Sequence, residues 1–184
     1  RKEERVDLAP FQQLVYADQQ SMLRDWLRQL NLLSEKIETY VLLDRLNRII
    51  NNEFKYMIRE EPGVQSPEQI LSSRSGSCRD YATLFIEACR FLGLASRFVS
   101  GYSHVPGLGA GGASTHAWAE VYLPGPGWKG FDPTAGELTG NRHIPVAVAR
   151  HPEMAPPVAG SFIGPKGPLP TLSVEVQVTA LMYS

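Results

Sequence analysis

Three residue types that together activate a sulfur nucleophile occur in order along this chain. Cys78 lies in Gly-Ser-Cys-Arg-Asp-Tyr-Ala, His116 in Thr-His-Ala-Trp, and Asp132 in Phe-Asp-Pro-Thr. A thiol at neutral pH is mostly uncharged, so chemistry at sulfur needs a device that favours thiolate. Two devices are predicted. Cys78 falls in the first turn of a predicted helix, where unpaired N–H groups and the positive end of the dipole favour a negative sulfur. An imidazole beside it adds the larger effect by forming a thiolate–imidazolium pair, and a carboxylate orients that ring and stabilises its charged form. His116 opens a predicted strand behind a glycine-rich loop, and Asp132 follows sixteen residues later. Their midpoint, Pro124, heads Pro-Gly-Pro-Gly. A hairpin folded about that turn brings His116 and Asp132 side by side to within a residue or two of register.

The elements that must position these groups are written as two periodicities. Residues 12–33 and 35–59 carry apolar side chains at helical spacing, among them Leu14, Leu23, Trp26, Leu27 and Leu30, then Ile37, Leu42, Leu46 and Ile50, with a break at Asn31 to Ser34. A short helix starts at Ser66-Pro67-Glu68-Gln69, a capping box with proline at the first helical position, and ends near Ser72. Cys78 to Leu92 forms the central helix, with Tyr81, Leu84, Phe85 and Ala88 on its apolar stripe and Gly93 as its stop. The period then changes to two in 95–102, 116–123, 128–131 and 172–178, predicting strands. Helices first and strands second predict an α+β domain with a mainly antiparallel sheet. The Pro- and Gly-rich stretch from Ala155 to Pro170 reads as a surface loop or linker.

Bulk properties narrow the function classes. The 184 residues, 43% of them hydrophobic, suffice for one full core, and a net charge of −1 gives neither a nucleic-acid footprint nor a membrane-surface patch. A peptide or protein substrate is expected, with no nucleic acid and no membrane as partner. Two cysteines exclude a disulfide scaffold and a four-thiolate zinc site, and a cytoplasmic setting is expected, with a processed leader left open. Cys89 is read as a small buried hydrophobe, about 16 Å along the helix from Cys78 and beyond disulfide reach. No cofactor and no metal are expected. Gly107-Leu-Gly-Ala-Gly-Gly112 has dinucleotide-like spacing but precedes a strand, so no helix N-terminus is there to hold a pyrophosphate. His104, His116 and Cys78 offer zinc donor atoms without the surrounding pattern of a zinc site.

The motifs around Cys78, then Arg90-Phe-Leu-Gly-Leu-Ala-Ser-Arg-Phe-Val-Ser-Gly-Tyr102, then His116 to Pro124 and Gly127 to Thr134, resemble the bacterial transglutaminase-like family in unbroken order from about residue 66 to 150. The resemblance implies a papain-like α+β fold and maps Cys78, His116 and Asp132 onto a Cys-His-Asp triad. Many such bacterial proteins are described as candidate cysteine proteases, so an amide or peptide hydrolase working through a thioester is expected. Acyl transfer to an amine and a non-catalytic binding module of the same fold are the alternatives. Phe54-Lys-Tyr56 matches an aromatic pair ahead of the nucleophile in similar proteins, which makes Tyr56 the candidate oxyanion donor. The family commonly carries an upstream β domain. Residues 1–10 are therefore read as the tail of such a domain or a linker, and 11–184 as the catalytic domain. His143-Ile-Pro-Val-Ala-Val-Ala-Arg150 resembles a family segment that often continues into Gly-Arg-Asp, whereas His151-Pro152 follows here.

Overall fold

The computed structural model describes residues 2–33, 36–59, 61–104 and 113–156, with short stretches at 160–161, 163–164, 167 and 175–178. Three helices come first: α1 (Lys2–Gln12), α2 (Gln20–Gln29) and α3 (Thr39–Glu53). The two-residue strand β1 (Lys55–Tyr56) pairs in parallel with β2 (Ser75–Gly76), and α4 (Pro67–Ser73) lies between them in sequence. The central helix α5 (Cys78–Phe91) leads into strands β3 (Ser96–His104), β4 (Ala113–Leu123), β5 (Gly127–Asp132), β6 (Glu137–Leu138) and β7 (His143–Ala149). The sheet runs β6-β5-β4-β3-β7 with every neighbouring pair antiparallel. This is the α+β architecture of the transglutaminase and papain-like core.

Local chemistry accounts for the helix boundaries. In α4, Ser66 Oγ accepts from the Gln69 backbone N–H at 3.3 Å while Gln69 Oε1 accepts from the Ser66 N–H at 2.8 Å, satisfying two donors at once. The two long predicted helices are shorter than expected. The Val15 and Tyr16 N–H groups donate to the Glu87 carboxylate, at 3.0 and 3.2 Å, rather than to a helical carbonyl, so α2 starts only at Gln20 after a 3-10 turn. Asn31, at φ +57°, follows its end. The Glu38 carboxylate caps α3 by accepting from Tyr40 and Val41, and Phe54 is already extended, so the chain leaves α3 for β1 instead of remaining helical to residue 59.

The core forms where α5 meets the helices on one side and the sheet on the other. Leu27, Leu43, Leu46, Ile50, Leu84, Phe85, Ala119, Val121 and Phe131 are sealed from solvent, and Phe85 stacks on Phe131 with ring centroids 5.5 Å apart. Within β4, Ala117, Ala119 and Val121 enter this core, so alternation turns His116 and Trp118 to the opposite face. Glu87 and Arg90 form a buried pair at 2.8 Å, and Arg90 also donates to the carbonyls of Phe11, Ser96 and Arg150. This staple fastens the N-terminal segment and the end of β7 to α5. The predicted strand at 172–178 is not formed over the described residues 175–178, and 172–174 lie outside them, as does the 107–112 glycine loop. No helix among the described residues is long and apolar enough to cross a membrane.

Candidate active site

Cys78 is the first residue of α5, where backbone N–H groups have no intrahelical acceptor. The turn before it is built around Asp80. Its carboxylate takes the Ser77 N–H and the Ser77 hydroxyl, both at 2.8 Å, the Gln65 N–H at 2.7 Å, and Arg59 at 2.9 and 3.1 Å. The β1–β2 pairing sets Tyr56 opposite Gly76, which brings the tyrosine to the sulfur. Partial burial, with the charge and hydrogen bond of Cys78, pushes the Tyr56 phenol up to about 12, so the hydroxyl keeps its proton and can donate.

His116 and Asp132 meet through the β4–β5 hairpin. The observed register pairs Ala119 with Phe131 and Leu123 with Gly127, centring the hairpin on Gly125 rather than Pro124. Continued by one step, it sets Asp132 across from Trp118 and diagonal to His116, on the same face. The His116 Nε2 to Asp132 Oδ2 distance is 2.7 Å. Cys78 lines the same cleft as His116 and acts on its imidazole. Burial opposes charge on His116, but its bonds to Asp132 and Cys78 outweigh burial and hold the imidazole up to about 10. Asp132 moves the other way. Burial works against its ionisation, yet bonds from His116 and His143 and the Thr134 N–H keep it well below the ordinary carboxylate range.

A cleft of about 440 Å³ lies over this arrangement, lined by Tyr56, Arg59, Cys78, Arg79, Ser100 and His116 among others. A larger hollow of about 1010 Å³, bordered by Tyr16, Gln65 and Glu68, contains none of Cys78, His116 and Asp132. Of the two, only the smaller cleft reaches Cys78. Cys89 is fully buried, and burial pushes its thiol far above the ordinary range.

Three supporting residues escape a reading of the sequence alone. Asp132 Oδ1 accepts from the Thr134 and Ala135 N–H groups at 2.9 and 3.3 Å. That turn is held from α3, where Asn51 donates to the Thr134 carbonyl at 2.6 Å and Asn47 to the Glu137 carbonyl at 3.0 Å. Both asparagines sit in an otherwise ordinary helical pattern, one helical turn apart, and that spacing is the only trace they leave in the sequence. His143, on β7, places Nε2 3.0 Å from Asp132 Oδ2. Its β-strand carries no apolar–polar alternation, since the exposed Ile144, Val146 and Val148 are as apolar as the inward Ala147 and Ala149.

Comparison with known proteins agrees with this fold. The profile of the transglutaminase-like superfamily matches residues 32–133. An uncharacterized protein of Mycobacterium tuberculosis is 37% identical over 129 residues, covering 65% of this chain and 41% of that protein. Among solved structures, a candidate cysteine protease from Cytophaga hutchinsonii superposes with a TM-score of 0.65 at 26% identity, covering 81% of this chain and 49% of that one. The periplasmic domain of TgpA from Pseudomonas aeruginosa gives a TM-score of 0.50 at 25% identity, covering 69% of this chain and 46% of that one. The chain thus spans about two fifths of the mycobacterial relative and about half of each solved chain. The TgpA match corrects the expected cytoplasmic setting, because that relative is a periplasmic domain. The cysteine count misled for a geometric reason. Cys89 is sealed in the core three helical turns from Cys78, so the two thiols cannot pair with each other in any redox environment. With its helices, antiparallel sheet and more than half of its length matched by the family profile, the chain belongs to the transglutaminase-like superfamily.

Proposed function

We propose that this chain is a cysteine-dependent amide or peptide hydrolase in which Cys78 is the nucleophile, His116 the proton carrier and Asp132 its orienting carboxylate. The observation that carries the reading is the 2.7 Å contact of His116 Nε2 with Asp132 Oδ2 in a cleft that His116 and Cys78 line together. The similarity to a candidate cysteine protease supports the hydrolytic class. In the proposed cycle the Cys78 sulfur attacks the substrate carbonyl carbon, and the carbonyl π electrons move to oxygen. Collapse of that intermediate breaks the C–N bond as the His116 imidazolium gives its proton to the departing nitrogen. Water then attacks the thioester, His116 takes the water's proton, and the sulfur leaves with the C–S electron pair. An amine in place of water would complete acyl transfer instead.

The developing oxyanion needs donors that aim at it before the reaction starts. The Cys78 N–H at the start of α5 and the Tyr56 hydroxyl are assigned that role. Tyr56→Phe is expected to lower turnover by roughly 10²- to 10³-fold, the usual cost of one such donor; unchanged turnover removes Tyr56 from the mechanism.

Iodoacetamide labelling tests the nucleophile. Cys78 should be alkylated in the native protein while Cys89 is not, and His116→Ala should slow the reaction at Cys78. Labelling of Cys78 at the rate of an ordinary thiol, with or without His116, would falsify the activated pair and favour a binding module. For turnover, ammonia release from a glutamine peptide is compared with incorporation of a primary amine, which separates hydrolysis from transfer.

A further inference from the structure

Asp132 carries a second imidazole that the reaction just described does not use. His143 Nε2 lies 3.0 Å from Oδ2, the same oxygen that His116 Nε2 approaches at 2.7 Å, and its side chain is only 5% exposed. Its other nitrogen settles where its proton sits. The Gly140 backbone N–H donates to His143 Nδ1 at 3.2 Å. A ring nitrogen that accepts an N–H presents a lone pair and carries no hydrogen, so neutral His143 has its hydrogen on Nε2 and donates it to Asp132. With Thr134 and Ala135 on Oδ1, the carboxylate accepts four N–H bonds, two on each oxygen.

We propose that His143 is a positioning residue for the Cys78 reaction, an Nε2–H donor that fixes the rotation of the Asp132 carboxylate and keeps it from drawing the proton off His116. The proposal rests on the reading of Cys78, His116 and Asp132 as the reacting groups. Its logic is one of competition. A buried carboxylate with a vacant lone pair is a better base, whereas one already holding a second N–H is a poorer proton thief and a better-oriented acceptor. Neighbouring groups keep His143 in that role: Trp118 packs against it in a T-shaped contact at 5.2 Å, and the His116 ring lies 6.0 Å away.

The backbone is shaped to bring β7 this close. Gly101 on β3 lies between His116 on one neighbouring strand and Pro145 on the other, and the β3–β7 register shifts between Ser100 and Gly101. A Cβ there would fall 2.1 Å from the Ile144 carbonyl oxygen and 2.8 Å from the Trp118 ring. Any side chain at Gly101 would push apart the strand that carries His143 and the tryptophan that packs on it.

A metal is the competing account, since the ligand atoms of His116, Asp132 and His143 all lie within 4.8 Å of one another. The Gly140 contact weighs against it. A cation on His143 Nε2 would move the ring hydrogen to Nδ1, where it would point at another N–H.

Two measurements decide the matter. In wild-type protein labelled with ¹⁵N-histidine, long-range proton–nitrogen correlations at neutral pH should give His143 as the neutral Nε2–H form. An Nδ1–H form, or a doubly protonated ring, overturns the proposal, and this holds whether or not the protein turns over a substrate. The second is the rate of Cys78 alkylation by iodoacetamide as a function of pH. His143→Ala should lower it by roughly 10- to 100-fold, the range typical of outer-shell partners. His143→Gln, whose amide nitrogen can donate to Asp132 and whose oxygen can accept from Gly140, should restore most of it. Equal loss in both variants, or none in either, overturns the positioning role. If wild-type Cys78 reacts no faster than a free thiol, the reading of the reacting groups has failed, and the tautomer alone still judges His143.

Discussion

Asp80 and Asp132 are both buried, both accept several hydrogen bonds, and one stands behind Cys78 while the other stands behind His116. Asp80 bonds to the Arg59 guanidinium, which keeps its charge at every pH a protein survives. Asp132 bonds to imidazoles, side chains that can carry a proton on either ring nitrogen. The first arrangement can only hold a turn in place; the second can also take part in moving a proton. Residue type and burial are nearly the same at the two positions, so under the proposed mechanism the partner's chemistry separates the carboxylate that holds a turn from the one that orients His116.

Replacing each aspartate should separate the two roles. Asp132→Asn keeps the volume and removes the charge, and turnover is expected to fall by roughly 10³- to 10⁴-fold, as when an imidazole loses its orienting carboxylate. A loss below tenfold would break the comparison. Asp80→Ala leaves Arg59 without its main partner. It is expected to cost about 3–5 kcal/mol of stability and to lower Tm by roughly 10 °C in a domain of this size. Cys78 alkylation in the cold should fall less in this variant than in Asp132→Asn. A melting curve that hardly moves would show that the Asp80 network is not structural.

The smallest effect is in how stability depends on pH. His116 is held up at about 10, against an ordinary histidine value of 6.5. A raised value means that the pair's contribution is fully present below 6.5 and is lost as pH rises through about 10. The stability difference between wild type and Asp132→Asn should therefore shrink across that interval. On the acid side, Asp132 sits below the usual carboxylate range, so its contribution disappears only as pH falls past that range. Denaturant melts at several pH values measure both.

What the sequence disclosed follows the same division between local and distant causes. The α4 capping box, the stop of α5 at Gly93 and the hairpin between His116 and Asp132 are set by residues within a few positions of one another, and all were legible. The hairpin centre was misplaced by a single residue. Helix lengths were overestimated because the interruption before α2 comes from Glu87, a side chain more than seventy residues away. The partners of Asp132 divide likewise. His116 lies on the adjacent strand of the hairpin, whereas His143 reaches the same oxygen from β7, which borders β3 at the opposite edge of the sheet from β6. Exposed Ile144, Val146 and Val148, with Pro145 among them, leave that strand without the buried alternation that marks the others. The asparagines of α3 were hidden because a polar residue in a helix usually faces water, and nothing nearby in sequence points to the turn that Asn51 holds.

The burial of Cys89 has a consequence for the life of the protein under oxidants. A peroxide that reaches Cys78 converts its sulfur to a sulfenic acid, and within these 184 residues the only other sulfhydryl is locked in the core and out of reach. Between these two cysteines no disulfide can form to arrest the damage at a reversible stage. Recovery then depends on a small thiol or a reductase arriving from outside before a second oxidation commits the sulfur to sulfinic acid. The same seclusion that spares Cys89 leaves it unable to serve as the resolving partner of the half-buried Cys78.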